Sequence, residues 1–293
     1  QSSRLRDMDK RLNKAQFNME AYHISLYHWN PKRKRYKSRL LNRLPLYYRP
    51  NNFGDVLGVW IARRILQRHG FSDVLQVTGD PDKTNKSLLT VGSILHFAKD
   101  GDVIWGSGRN GKVADSAHGF DRLDIRMVRG PLTRRFLMER GLEVPEVFGD
   151  PGILVQELFP EFVALTEKKT HGVTIIPNLN DSVPRDHAAA VQNPRASLSR
   201  VIKRIAGSEL VISSSLHGIV LAEALGVPVR VLRSNVEPTF KYDDYFLGTG
   251  REEYPMHDSV ADALKGTQPE KPVYDAARML AAFPYDLLPE RGG

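Results

Sequence analysis

Apolar positions in this chain fall into short runs separated by longer segments of helical period, and the clearest unit is Leu210–Leu232. Leu210-Val-Ile212 reads as a buried strand, three serines follow, an Ala/Leu-rich segment runs to Gly226, and a second apolar run closes at Leu232. Strand, turn, helix and strand in that order make a βαβ unit, with glycine just past the helix end. Ser213, Ser214 and Ser215 sit where the backbone leaves the strand and caps the helix. His217 falls in the first helical turn, beside free N–H groups and the positive end of the helix dipole, which together form an anion site. A histidine there either donates to an anion, moves a proton, or simply packs and caps locally.

The same alternation continues on both sides of this unit. Tyr47-Tyr48 reads as a short strand, and Asp55 as the N-cap of a helix over Val56–His69 whose stripe is Val56, Val59, Trp60, Ile61 and Ile65. Asn52, Gly54 and Asp55 therefore line a strand-to-helix turn, although Asn-Phe-Gly-Asp also suits a tight turn without a ligand. Strands are predicted at Val74–Val77, Leu88–Val91, Asp102–Trp105, Ile125–Val128, Glu146–Phe148 and Gly172–Pro177. Gly92-Ser93 opens a short helix carrying His96, and Pro131 sits in the first turn of another helix that ends at Gly141. Further helices are predicted over Ile153–Leu158, Ala196–Ala206, Glu237–Phe246, 258–266 and 273–283, with a polar hinge at 160–170.

Alternating strands and helices imply parallel, doubly wound sheets, and the hinge divides them into two α/β halves. In such sheets ligands bind beyond the carboxyl ends of the strands. Asn52–Asp55, the glycine-rich loop Gly106–Lys112 with Ser107 and Arg109, Arg129, Gly149–Gly152 with Asp150, the turn at Asn178, and Ser213–His217 all fall at such ends.

Composition changes this picture in two places. With no cysteine, disulfides and thiolate metal sites are excluded, which fits a cytoplasmic protein. Mean hydropathy is −0.37, and neither a membrane-spanning run nor the apolar core of a signal peptide is expected. The net charge of +8 is unevenly spread: residues 1–50 hold 13 Lys/Arg against three acids, leaving a nearly neutral body. A basic arm over 1–43, densest at Lys32–Arg43, is read as a solvated extension, an attachment to an anionic membrane surface, or a nucleic-acid contact. The neutral body argues against nucleic acid as the partner of the folded part.

Taken as an ordered set, Asn52-Phe-Gly-Asp55, Trp105-Gly-Ser-Gly-Arg109, Val128-Arg-Gly-Pro-Leu-Thr133, Gly149-Asp-Pro151 and Ser215-Leu-His-Gly218 resemble the polysaccharide pyruvyl transferases over about residues 47–250. The resemblance implies two Rossmann-like domains facing across a cleft, as in GT-B glycosyltransferases, here 44–165 and 166–293, with the closing helices returning to the first. It implies transfer of pyruvate from phosphoenolpyruvate onto two hydroxyls of a sugar, giving a cyclic ketal, in a cell-surface glycan or lipid-linked precursor. Arg129 then matches a donor-binding arginine and His217 the functional histidine. Some members carry arginine directly before Leu-His where this chain has Ser215, so another cation must serve, with Arg109, Arg233 and Lys241 as candidates. Ser213, Ser214, Ser215 and Leu216 are expected at the donor, with Asp55 or Asp150 as an acidic base. Asn52, Gly54, Gly106, Ser107, Asp150 and Asn178 are expected on cleft loops or at the acceptor.

Phosphoenolpyruvate is expected as co-substrate, with no cofactor and no metal, and the protein is expected in the cytoplasm, with residues 1–43 at the inner face of the membrane. The alternatives are a GT-B glycosyltransferase that releases a nucleotide diphosphate and a non-enzymatic adaptor acting through the arm.

Overall fold

A computed structural model describes residues 24–31, 33–34, 46–71, 76–78, 86–182 and 185–288. The fold is α/β with two all-parallel sheets. The first has the order β4-β1-β5-β6-β7, built from β1 (Ile24–Tyr27), β4 (Gln76–Thr78), β5 (Lys86–Leu89), β6 (Val103–Trp105) and β7 (Asp124–Met127). The second has the order β11-β10-β9-β8, from β8 (His171–Ile176), β9 (Ser208–Ser213), β10 (Val229–Leu232) and β11 (Met256–His257). A two-stranded antiparallel ribbon pairs β2 (Arg33–Lys34) with β3 (Tyr47–Tyr48).

Side-chain alternation explains the layering, since neighbouring strand residues point to opposite faces. In the first sheet Leu88, Val103 and Trp105 enter a core shared with the second sheet, while Leu89 and Ile104 enter a separate outer cluster. In the second sheet Ile176 and Val211 join the shared core, and Ile175 and Ile212 face an outer cluster with Val260 and Ala263. Between the sheets lie α1 (Phe53–Arg68), α5 (Leu198–Ala206) and α6 (Leu216–Ala224), whose buried residues complete the shared core. The two halves are thus joined by one continuous apolar layer. The C-terminal helix α9 (Ala276–Ala281) returns to the first sheet: Trp105 Nε1 donates to the Met279 carbonyl at 3.0 Å, and Phe283 meets the Trp105 ring edge-on.

Four expectations are corrected. Ile24–Tyr27, assigned to the basic arm, is an interior strand paired with β4 on one side and β5 on the other. Ile24-Ser-Leu-Tyr27 is four residues long with a serine inside it, and carries too little periodicity to stand out. Residues 1–23, 32 and 35–43 of the arm lie outside the described residues. Asp55 is not an N-cap: α1 begins at Phe53 with Asn52 as its N-cap, which places Asp55 within the first turn. Glu146–Phe148 is no strand, contributing only a single bridge between Phe148 and Val128. The expected hinge is helical, with α4 over Pro160–Val163 and a tight turn over Ala164–Glu167, and Phe162 is buried against Trp60. Its polar composition reflects an amphipathic face, not an unstructured link. The strand expected at Val74–Val77 is seen from Gln76 onward, and its first two residues lie outside the described residues.

Candidate active site

A pocket of about 270 Å³ opens where the N-termini of α1 and α6 approach each other. Asn52 and Asp55 come from the first helix, Ser215, Leu216 and His217 from the second, and Asn178 from the loop after β8. Lys241 reaches in from α7 (Phe240–Gly248), joined by Glu237 from the segment just before it. Two helix starts bring their positive dipole ends to the same space, which favours an anionic occupant.

His217 is gripped from two sides. Its Nε2 lies 3.5 Å from Asp150 Oδ2, a carboxylate with no solvent exposure, whose other oxygen accepts the Gly152 amide at 2.8 Å. Its Nδ1 lies over Gly54, where a Cβ would come within 2.1 Å of that nitrogen. Glycine at position 54 is therefore what allows the imidazole to lie flat against the start of α1. Asp150 sits behind His217 with its Oδ2 facing the ring, and its burial keeps it from an acceptor.

Burial perturbs two of the groups facing the pocket, Asp55 and Lys241. Asp55 is pushed up to about 6, chiefly by burial, with His217, a 3.1 Å hydrogen bond from Asn52 Nδ2, and Lys241 opposing the rise. At neutral pH its carboxylate is charged yet only weakly held in that state, as a general base requires. The ammonium of Lys241 is pushed down to about 8 by burial, against the pull of Glu237 3.3 Å away, and Arg129 and Lys112 depress it further. Lys112 also pairs with Glu237, so one carboxylate holds two cations at the rim.

Arg129 is placed differently from expectation. It is fully buried behind the pocket wall, with Nε donating to Asp244 Oδ2 at 2.9 Å, Nη1 to Ser93 Oγ at 2.7 Å and Nη2 to the Arg109 carbonyl at 2.8 Å. Asp244 also accepts from the amide and hydroxyl of Thr133, at 2.9 and 2.6 Å. The anion that Arg129 holds is thus a carboxylate of the chain itself. Ser93, which does line the pocket, is held in place by the guanidinium.

Among the cations expected to replace an arginine at 215, Lys241 lies in the pocket. Arg109 instead pairs with Asp115 and packs over the rings of Phe136 and Phe240. Arg233 pairs with Asp258 at 2.6 Å on the surface. Ser213 and Ser214 build the turn: Ser213 Oγ donates to the Ile176 carbonyl at 2.9 Å, and Ser214 Oγ to Asp181 at 2.6 Å. Gly106, at φ +92°, and the buried Ser107, whose hydroxyl donates to the Gly92 carbonyl at 3.1 Å, shape the wall behind Arg129.

Sequence reading missed Trp29, Ser93, His96, Phe97 and Glu237, which also line the pocket. Trp29 follows β1, which the sequence did not reveal, and Ser93 follows β5, which it did, so the rule of strand carboxyl ends reaches Ser93 directly and Trp29 only once β1 is known.

Comparison with known proteins places the chain in a family. The polysaccharide pyruvyl transferase family matches residues 52–235, a span that contains Asp55, Ser215, Leu216 and His217. Succinoglycan biosynthesis protein ExoV of Rhizobium meliloti is 30% identical over 206 residues, covering 66% of this chain and 60% of that protein. An uncharacterized protein of Acanthamoeba polyphaga mimivirus is 26% identical over 219 residues, covering 69% of this chain and 73% of that one. Among solved structures, an uncharacterized protein of Klebsiella pneumoniae aligns with a TM-score of 0.45 and 12% identity, over 86% of this chain and 98% of that one. With the family match spanning more than half of its length, the chain belongs to the polysaccharide pyruvyl transferase family.

Proposed function

We propose that this protein transfers the pyruvyl group of phosphoenolpyruvate onto two hydroxyls of one sugar in an exopolysaccharide or its lipid-linked precursor, forming a cyclic ketal and releasing phosphate. The observation that carries this reading is the convergence of Asp55, His217 and Lys241 on one small pocket at two helix N-termini, the first two within the residues that match the family and Lys241 six residues beyond them. Succinoglycan biosynthesis, named for the relative from Rhizobium meliloti, is the kind of process it would serve. The facing arrangement of GT-B enzymes, with a first lobe to about residue 165 and a second from 166, belongs to the same reading.

The donor carries a carboxylate and a phosphate, so it needs cations and oriented N–H donors. Lys241 and the helix start at Ser215-Leu216 supply them. Addition begins with a proton delivered to the methylene carbon, which becomes the methyl group, while the first sugar hydroxyl bonds to C2 and gives up its proton. The second hydroxyl then displaces phosphate from C2, and its proton leaves with the phosphate. Asp55 takes a hydroxyl proton, and His217, aligned by Asp150, delivers the proton to carbon or holds the departing phosphate. Arg129 acts from behind the wall by fixing Ser93 and adding positive potential.

Phosphate release from phosphoenolpyruvate, measured with glycosides of galactose, glucose and N-acetylmannosamine, tests the proposal. His217→Ala is expected to lower kcat at least 100-fold while keeping the melting temperature within a few degrees. Wild-type turnover in that variant would refute the role of His217. Release of a nucleotide diphosphate from a sugar nucleotide, in place of phosphate, would refute the reaction.

A further inference from the structure

The walls of the pocket differ in kind. One is ionic: Asp55, His217, Lys241 and Glu237, with the two helix starts. The other is apolar and aromatic: Trp29, Ile94 and Phe97, with His96 between them. That second wall is braced from beneath. The Phe97 ring lies 5.5 Å from the ring of the buried Tyr27 and 4.0 Å from that of His96. Tyr27 ends β1 and Trp29 follows two residues later, so an interior strand of the sheet fixes the aromatic side of the pocket.

Resting on the function proposed above, we infer that the wall of Trp29, Ile94, His96 and Phe97 is the acceptor subsite, which takes the apolar face of one neutral sugar ring and turns its hydroxyls toward Asp55. Three observations converge on that occupant. A doubly anionic donor belongs on the cationic wall, which leaves the aromatic wall to the second substrate. At about 270 Å³ the pocket falls just short of the roughly 300–1,000 Å³ of sites that enclose whole drug-sized ligands, so it holds the donor and a single ring, with the remainder of a glycan outside. Finally, burial and the neighbouring His118 push the His96 imidazole below its usual range, so this wall stays uncharged near neutral pH. An amphipathic ring with an apolar face and polar edges matches an aromatic wall that carries one polar group. Trp29 lies ahead of the residues that match the family, so this subsite draws on a part of the chain outside the match.

Intrinsic fluorescence offers a direct test, because the chain has three tryptophans and the others pack elsewhere: Trp105 is fully buried, and Trp60 lies against Phe159 and Phe162. Titration of the full chain with millimolar methyl glycosides of galactose, glucose and N-acetylmannosamine, without phosphoenolpyruvate, should change the emission for at least one of them. Trp29→Phe should abolish that change. In the phosphate-release assay, Trp29→Ala should raise the acceptor KM at least tenfold and leave the donor KM within twofold. Three outcomes would overturn the inference: no emission change with any of the glycosides, a change that persists in Trp29→Phe, or an unaltered acceptor KM in a folded Trp29→Ala protein. Should the wild type bind a glycoside at Trp29 yet release no phosphate from phosphoenolpyruvate, the subsite would stand and the reaction would fall. Circular dichroism on both variants, with Phe97→Leu as a second probe of the same wall, guards against misfolding.

Discussion

Arg129 and Lys241 are both buried cations near the same pocket, and they do different work. Arg129 makes three hydrogen bonds to groups of the chain itself, one of them to a fully buried carboxylate, and the pocket meets it only through Ser93. Lys241 has a carboxylate at 3.3 Å, its side chain lines the pocket, and burial has weakened its hold on its proton. A cation whose partners are all internal anchors structure. One left partly unsatisfied at a cavity is held ready for an anion from outside.

The most severe way to probe that contrast is Arg129→Ala. Leaving Asp244 charged and unpaired in the core should cost about 3–5 kcal/mol of stability, read by chemical denaturation, with activity lost alongside the fold. A stable Arg129→Ala protein with only a raised donor KM would make Arg129 a donor clamp after all.

Lys241→Met should do the reverse. Removing one charge-assisted contact to the donor is worth about 1.5–3 kcal/mol, a rise of roughly 10- to 100-fold in the KM for phosphoenolpyruvate, with the melting temperature little changed. The wild type carries the same information in its pH dependence. Lys241 is cationic below its value of about 8 and neutral above it, so donor KM should climb as pH rises through 8. In Lys241→Met that climb should vanish.

Asp55→Asn gives a smaller effect on stability, with a definite sign. The Asp55 carboxyl stands at about 6 in the folded protein against 3.8 for an ordinary aspartate. As pH rises from about 4 to 6 the unfolded chain has already lost the proton that the folded one keeps, so the wild type loses stability over that range. The variant escapes this loss and should exceed the wild type above pH 6 by on the order of 1–3 kcal/mol, discounted for partial exposure, while losing turnover. Equal stability of the two proteins at pH 7 would mean that Asp55 is not strained. The smallest effect is expected from Arg233→Ala, which should change stability by no more than about 0.5 kcal/mol and turnover by less than twofold.

Much of this molecule is local in origin. The βαβ unit at Leu210–Leu232, the helix start that carries His217, and the placement of Asn178 after β8 follow from patterns a few residues long, whereas Asn52 and Asp55 follow β3, which lies in the antiparallel ribbon and in neither parallel sheet. Periodicity, capping residues and glycine positions act over one or two turns of chain, so they can be read directly. The partners of the charged groups could not be read this way. Arg129 finds Asp244 across 115 positions, and Lys241 enters the pocket from a helix far along the chain from Asp55. Burial shifts the Asp55 and Lys241 protons, and burial exists only once two sheets and the helical layer between them have closed. The strand at Ile24–Tyr27 is the same lesson in the backbone: four residues interrupted by a serine have weak local preference, and the neighbours β4 and β5 make them a strand. Sequence alone determined which chemical groups stand beyond the strands with a strong local pattern, such as Ser213–His217 after β9, and not the Trp29 that follows β1. Tertiary structure decided which of those groups face a substrate and which are used up holding one another, because that choice depends on long-range pairing and on the exclusion of water.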